Sequence, residues 1–195
     1  LPMDSGQVLF DGKTLEKTVI GYVFQNYRDA LFPWKKAIDN IKYPLQIAKK
    51  SSADIEARTQ ELIQSFDVRF DLNRYPYELS GGQQQLISIM RALAPYPEVL
   101  FLDEPFSALD YEMTLFMRDK LQAIFETTKT TMILVSHDLD LIKIYSDHII
   151  ILNNGVIVED GLTRDVFETP KHEYTKKLLL STPDKIITKK SSAKK

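Results

Sequence analysis

Two short runs constrain this chain more than anything else in it. They are Leu79-Ser80-Gly81-Gly82-Gln83-Gln84-Gln85 and Val99-Leu100-Phe101-Leu102-Asp103-Glu104-Pro105. The first opens a helix on two glycines, so backbone N–H groups there can approach an anion closely. The second is four apolar residues followed by two carboxylates, the pattern of a buried strand whose C-terminal end offers acid to a metal or a water. The pair predicts a phosphate-binding helix start near a metal-binding strand end.

Composition narrows the setting. The 195 residues suffice for one core. A formal net charge of -2 supplies no basic field for nucleic acid. With no cysteine, disulfides and thiolate metal sites are excluded, which fits a reducing compartment. No apolar run approaches the ~18 residues of a spanning helix, so a soluble domain is expected, with membrane association supplied by a partner. The chain opens on Leu1 rather than methionine, which predicts processing or a longer parent.

Read in order, Val8-Leu9-Phe10 is a short strand entering a turn at Asp11-Gly12. Gly12-Lys13-Thr14 imitates the tail of a P-loop. The required G-x-x-x-x-G-K-[ST] fails because position 7 is Gln7, and no helix pattern follows Lys13. Val19 to Phe24 is a second strand, ended by Gln25. Leu31-Phe32-Pro33-Trp34 is an apolar loop or helix entrance that suits either core or a partner contact. Helical spacing over 37–48, with Pro44 as a break, and over about 53–66, capped from Ser51-Ser52, predicts a small helical insert before Ser80. Ile55, Leu62, Ile63 and Phe66 form its core stripe. The helix from Gln83 to about Leu93 places Arg91 at a polar face or helix end, with Pro95 and Pro97 as stops.

Ser107 to Asp110 is a loop into a helix of about 111–126, buried through Met117, Leu121, Ile124 and Phe125. Thr131 to Val135 reads as a further buried strand, followed directly by Ser136-His137-Asp138. Its strand-end position makes His137 a ligand candidate, because open α/β sheets bind ligands there. Asn154-Gly155 marks a hairpin between Ile149–Leu152 and Val156–Val158. The basic run Lys189 to Lys195 reads as a solvated tail.

The ordered set Leu79–Gln85, Asp103-Glu104 and His137 resembles the ATP-binding-cassette (ABC) ATPases over nearly the whole chain. The resemblance implies an α/β, P-loop NTPase-like (RecA-like) sheet with an inserted helical subdomain at about 37–94 and a flexible tail at about 185–195. It makes Gln25 the Q-loop glutamine, Ser80-Gly81-Gly82-Gln83 the signature and Val99–Asp103 the Walker B strand. Glu104 becomes the catalytic carboxylate, Ser107–Asp110 the D-loop and His137 the switch histidine. The implied ligands are ATP and Mg²⁺. Asp103 and Gln25 would serve the metal; Gln25, Ser80, Gly81, Gly82, Gln83 and Asp110 the nucleotide; Glu104 and His137 the chemistry. The implied partners are a second ATPase subunit, transmembrane permease subunits and, indirectly, a solute-binding protein, at the cytoplasmic face of the membrane.

The physical roles cohere. Phosphoryl transfer to water needs electrostatic stabilisation, a metal and an oriented water rather than covalent work by protein. The sequence departs from the family at Leu86, where arginine is usual, at Pro95, and at Leu141-Ile142, where Glu-Ala is usual. It contains no P-loop; the expectation is a partial ABC domain lacking roughly forty N-terminal residues. Gly21–Gln25, Leu31–Trp34, Asp39-Asn40-Ile41 and, near the end, His172-Glu173-Tyr174-Thr175 resemble importer ATPases, the first three those of the nitrate, sulfonate and taurine group. Two other readings compete: an inactive chain acting only as a partner, and a soluble ABC ATPase of translation or repair. The latter lacks a second cassette, a coiled-coil insert or a basic face.

Overall fold

The structure, a computed structural model, describes residues 5–26, 30–107, 109–128 and 130–181. The basic tail, Ala108 of the Ser107–Asp110 run, and Leu1–Asp4 lie outside the described residues. Two compact units are present, one reaching to Val135 and one starting at Ser136.

The first unit opens on a two-stranded hairpin, β1 (Leu9–Phe10) with β2 (Lys13–Thr14). Its turn residues Asp11 (φ 49°) and Gly12 (φ 74°) both take the left-handed conformation a type I′ turn requires. Lys13 therefore sits in a hairpin, followed only by a single 3-10 turn at Leu15–Lys17 and no α-helix, as the failed P-loop spacing predicts. A parallel sheet follows in the order β3 (Ile20–Val23), β4 (Val99–Asp103), β5 (Thr131–Val135). Between β3 and β4 the chain makes α1 (Ala37–Ile47), α2 (Ser52–Ser65) and α3 (Gly81–Leu93). Between β4 and β5 it makes α4 (Tyr111–Thr127).

The core joins sheet and helices. Val23, Leu100 and Leu102 meet Ile87, Ile89 and Met90 of α3, with Ile41, Leu62, Phe66 and Met117 closing the cluster. Leu86, the departure from arginine, is a core residue here, 4% exposed.

Three sequence expectations fail, each for a physical reason. Pro44 does not break α1, which runs through it to Ile47. Pro44 removes the donor that would meet Asn40 O, but its own carbonyl still accepts the Ala48 N–H at 3.0 Å, so the helix carries on past it. Phe125 is 38% exposed: it continues the row of fours from Met117 and Leu121, but each such step turns about 40° around the helix, so by Phe125 the row has drifted off the buried face. β5 is not a buried strand. Val135 is 53% exposed, and among the described residues β5 pairs only with β4, so one edge and part of its faces are uncovered.

The second unit holds α5 (Leu139–Tyr145), the antiparallel pair β6 (His148–Asn153) and β7 (Val156–Leu162), α6 (Thr163–Glu168) and α7 (Glu173–Leu180). Asn154 (φ 51°) and Gly155 (φ 77°) form the expected two-residue turn between β6 and β7. Ile149, Ile151 and Val166 are the buried centre of this unit.

Glu159 on β7 is buried, yet it is charged by design of its partners. Its carboxylate accepts the N–H groups of Lys171 (2.8 Å) and His172 (3.1 Å), fixing the segment that leads into α7. Burial alone would raise its pKa. The Thr175 hydroxyl, the two backbone donors and the nearby His172 outweigh that and hold it below the usual glutamate range. A depressed carboxylate stabilises above its unfolded pKa and loses that contribution as pH falls through the folded value. Glu159→Ala is therefore expected to destabilise the α7 attachment by about 1–3 kcal/mol at neutral pH. The difference between variant and parent should shrink as pH is lowered below about 4. Amide exchange at Lys171 and His172 measures it; equal exchange in both proteins at neutral pH would refute the assignment.

Candidate functional site

Register alone brings the first group of predicted residues to one edge. In the parallel pairing, Val23 of β3 lies opposite Leu102 of β4. Gln25 and the Asp103-Glu104 pair therefore leave adjacent strands at the same C-terminal end of the sheet, where open α/β sheets take ligands. Gln25 is exposed; Asp103 and Glu104 are half-buried.

Asp103 accepts a hydrogen bond from the Tyr22 hydroxyl, Oη to Oδ2 at 3.3 Å. Burial, the Asp103 charge and that bond together raise the Tyr22 phenol above its usual range, so it remains a donor. Sequence reasoning passed over Tyr22. The strand alternation that aims it at its neighbour becomes informative only once β3 is known to pair with β4.

Glu104 stands in a left-handed backbone conformation, φ 46°, unusual for a residue with a Cβ. Its N–H donates to Val135 O of β5 at 2.9 Å, and its carbonyl accepts both the N–H (3.2 Å) and the hydroxyl (3.0 Å) of Ser107. Such a conformation persists only when its surroundings over-determine it. Here the neighbouring strand and the following turn do so.

The start of α3 is built as a capping box. Ser80 Oγ accepts the Gln83 N–H at 3.3 Å, while the Gln83 side chain accepts the Ser80 N–H at 3.0 Å. Gly81 and Gly82 occupy the first turn. A Cβ on Gly82 would lie 3.2 Å from Met113 Cγ and 3.7 Å from Leu109. The glycine thus lets α3 pack close to the start of α4. Asp110, predicted to serve a nucleotide, is the N-cap of α4 and accepts the Met113 N–H at 2.8 Å. His137 belongs to the second unit. It is exposed, in the turn before α5, whose N-cap Asp138 accepts the Leu141 N–H at 3.1 Å. Within the first unit, Gln25, Asp103 and Glu104 leave neighbouring strands at one end of the sheet, whereas Ser80 to Gln83 and Asp110 stand at the starts of α3 and α4, which approach each other at Gly82 and Met113.

Beside this edge runs an apolar groove of about 480 Å³ lined by Phe24, Phe32, Tyr43, Ile47 and Arg91. The adjacent Trp34 is 71% exposed, and its ring centre is 5.5 Å from that of Phe32. The loop holding these rings is pinned by Asn40, fully buried, which accepts the Phe32 N–H at 2.8 Å and donates to the carbonyls of Phe32, Lys35 and Lys36. Arg91 is not solvated. It is half-buried at the end of α3, 5.3 Å over the Phe32 ring, and burial lowers its pKa.

Residues 1–107 match the family model described as ABC transporter. Methionine import ATP-binding protein MetN 2 of Pectobacterium atrosepticum is 35% identical, over 92% of this chain and 56% of its own length. Spermidine/putrescine import ATP-binding protein PotA of Aliivibrio fischeri is 36% identical, over 90% of this chain and 48% of its own length. The chain thus spans about half the length of these curated relatives. A solved dimeric ATP-binding cassette, bound to ADP and Pi in a post-hydrolysis state, aligns with TM-score 0.71 and 28% identity, over 83% of this chain and 75% of that one. The relatives carry methionine and polyamine names, where the sequence resemblance pointed to nitrate, sulfonate and taurine. The α/β fold with its parallel sheet is that of a P-loop NTPase, and the chain belongs to the ABC transporter ATP-binding family.

Proposed function

We propose that this chain is the hydrolytic and signature-bearing part of an ATP-driven motor subunit of a bacterial importer, working as a dimer on a membrane permease. The observation that carries the reading is the shared strand-end edge: Gln25, Asp103 and Glu104 leave neighbouring parallel strands side by side. Asp103 would hold Mg²⁺ with Gln25 as a second oxygen. Among the described residues no cluster of three His, Cys, Asp or Glu side chains occurs. One carboxylate and one amide oxygen suit an ion that keeps much of its water and takes phosphate oxygens besides. When bound, the ion would neutralise charge on the phosphates. Glu104 orients the attacking water and accepts its proton; His137 donates to the terminal phosphate. Ser80, the glycine N–H groups, Gln83 and the dipole of α3 face a nucleotide held by the second subunit, with Asp110 beside that interface.

The 195 residues contain no G-x-x-x-x-G-K-[ST] run, so the lysine and backbone cradle for the β- and γ-phosphates belong to residues other than these. On this reading the chain as given neither binds ATP tightly nor turns it over. No helix among the described residues is long and apolar enough to cross a membrane; attachment at the cytoplasmic face through a permease is proposed from the import names of the relatives. The solute is chosen by other subunits. The names of the relatives support a methionine or polyamine importer rather than one of nitrate, sulfonate or taurine.

The permease contact is assigned to Trp34, an indole exposed beside an apolar groove. Trp34→Glu in the full-length subunit should cut co-purification with its permease by about tenfold or more, the cost of charging an aromatic anchor. Unchanged co-purification would remove the groove from the interface.

A further inference from the structure

Gln85 is a buried amide that the chemistry above does not use. It is 2% exposed, in the second turn of α3, and its Nε2 donates to Pro105 O at 2.8 Å. Its Oε1 is buried and, among the described residues, has no hydrogen-bond partner. That half-satisfied amide is a poor choice for stability alone, because an apolar side chain of similar shape would fill the space without stranding an acceptor. Pro105 follows Glu104 directly and is itself buried. The bond therefore fastens α3 to the turn that holds Glu104 at φ 46°. The same turn is tied to β5 through the Glu104 N–H and closed on itself by Ser107.

We propose that Gln85 is a positioning residue: it couples the start of α3 to the backbone of Glu104, so that contacts made at Ser80 to Gln83 adjust the catalytic carboxylate. This rests on the reading of Glu104 as the water-orienting group and of Ser80 to Gln83 as facing the other subunit's nucleotide. On that reading the two ends of the Gln85 bond serve different nucleotides. The bond then links the two sites of the dimer within one chain. A rigid link is what such coupling needs, and Gln85 supplies it over five residues of helix and one hydrogen bond.

Gln85→Met keeps the length of the side chain and removes the donor. In the 195-residue chain, without nucleotide, amide exchange at Ser107 and Leu109 should rise about fivefold or more while Ile89 and Met90 in α3 are unchanged. In the full-length subunit, kcat should fall about tenfold or more with the KM for ATP within about twofold, as for a displaced catalytic group. Unchanged exchange at Ser107 and Leu109, or a variant with parental kcat, overturns the proposal. If the methionine variant does not fold, Gln85→Glu gives the same test, since a carboxyl donates only when protonated. The ratio of its Ser107 exchange rate to that of the parent should fall as pH is lowered; a flat ratio overturns the proposal. Failure of the underlying reading looks different: Glu104→Gln would then leave turnover intact, whatever Gln85 does.

Discussion

Glu104→Gln in the full-length subunit is expected to reduce ATP turnover by about 10²–10⁴-fold, the range of a lost general base or water-orienting group. Nucleotide binding should survive, because glutamine is isosteric and the change removes the proton acceptor while leaving the turn intact. That turn is held by backbone groups: the Glu104 N–H to Val135, the Glu104 carbonyl to Ser107. None of these bonds involves the substituted carboxylate. Phosphate release read against equilibrium binding of a fluorescent ATP analogue separates the two effects. Parental turnover in the variant would reject the role, and loss of binding together with turnover would show that the carboxylate serves the ground state instead.

The second large effect is structural and lies on β3. A Cβ built on Gly21 would approach Ala92 O to 2.5 Å and Leu100 Cδ1 to 2.8 Å. The first of these is backbone of α3, in its last turn, and cannot swing aside. β3 therefore lies directly against α3, and only a residue without a side chain permits it. Gly21→Val should cost on the order of 3 kcal/mol or more, the upper range of overpacking. Gly21→Ala should cost less but fail in the same direction. Urea unfolding of the two variants measures this, and a parental midpoint for the valine variant would refute the close approach. Because β3 carries Gln25 at its end, the same variant should also disturb the sheet edge where the carboxylates stand.

Much of this was legible in residue order. The apolar run ending in Asp103-Glu104, the Ser80-Gly81-Gly82 helix start and the Asn154-Gly155 turn are local patterns with local causes, and each element forms where its pattern predicts. Tertiary context decided the rest. Pro44 carries the general helix-breaking signal, but α1 runs through it, because the packing of the whole helix outweighs the one lost donor. β5 is as apolar as a central strand, yet its exposure depends on which strands flank it, something no run of five residues encodes. Asn40 and Gln85 look like ordinary helix polar residues in sequence. Their roles arise from partners in other segments, Phe32 and Pro105, at the positions where the fold buries an amide. The register that sets Gln25 beside Asp103 likewise needed the β3–β4 pairing.

The capping box at the start of α3 has a consequence for recognition. A hydroxyl has one proton and two lone pairs. In Ser80 one lone pair is occupied by the Gln83 N–H, which leaves the proton available to an incoming oxygen. The same contact holds the Ser80 side chain in one rotamer before anything arrives, while its hydroxyl proton can still turn toward a ligand. An anion meeting this helix therefore finds Oγ already in place, and the entropy of ordering that rotamer falls on folding rather than on binding.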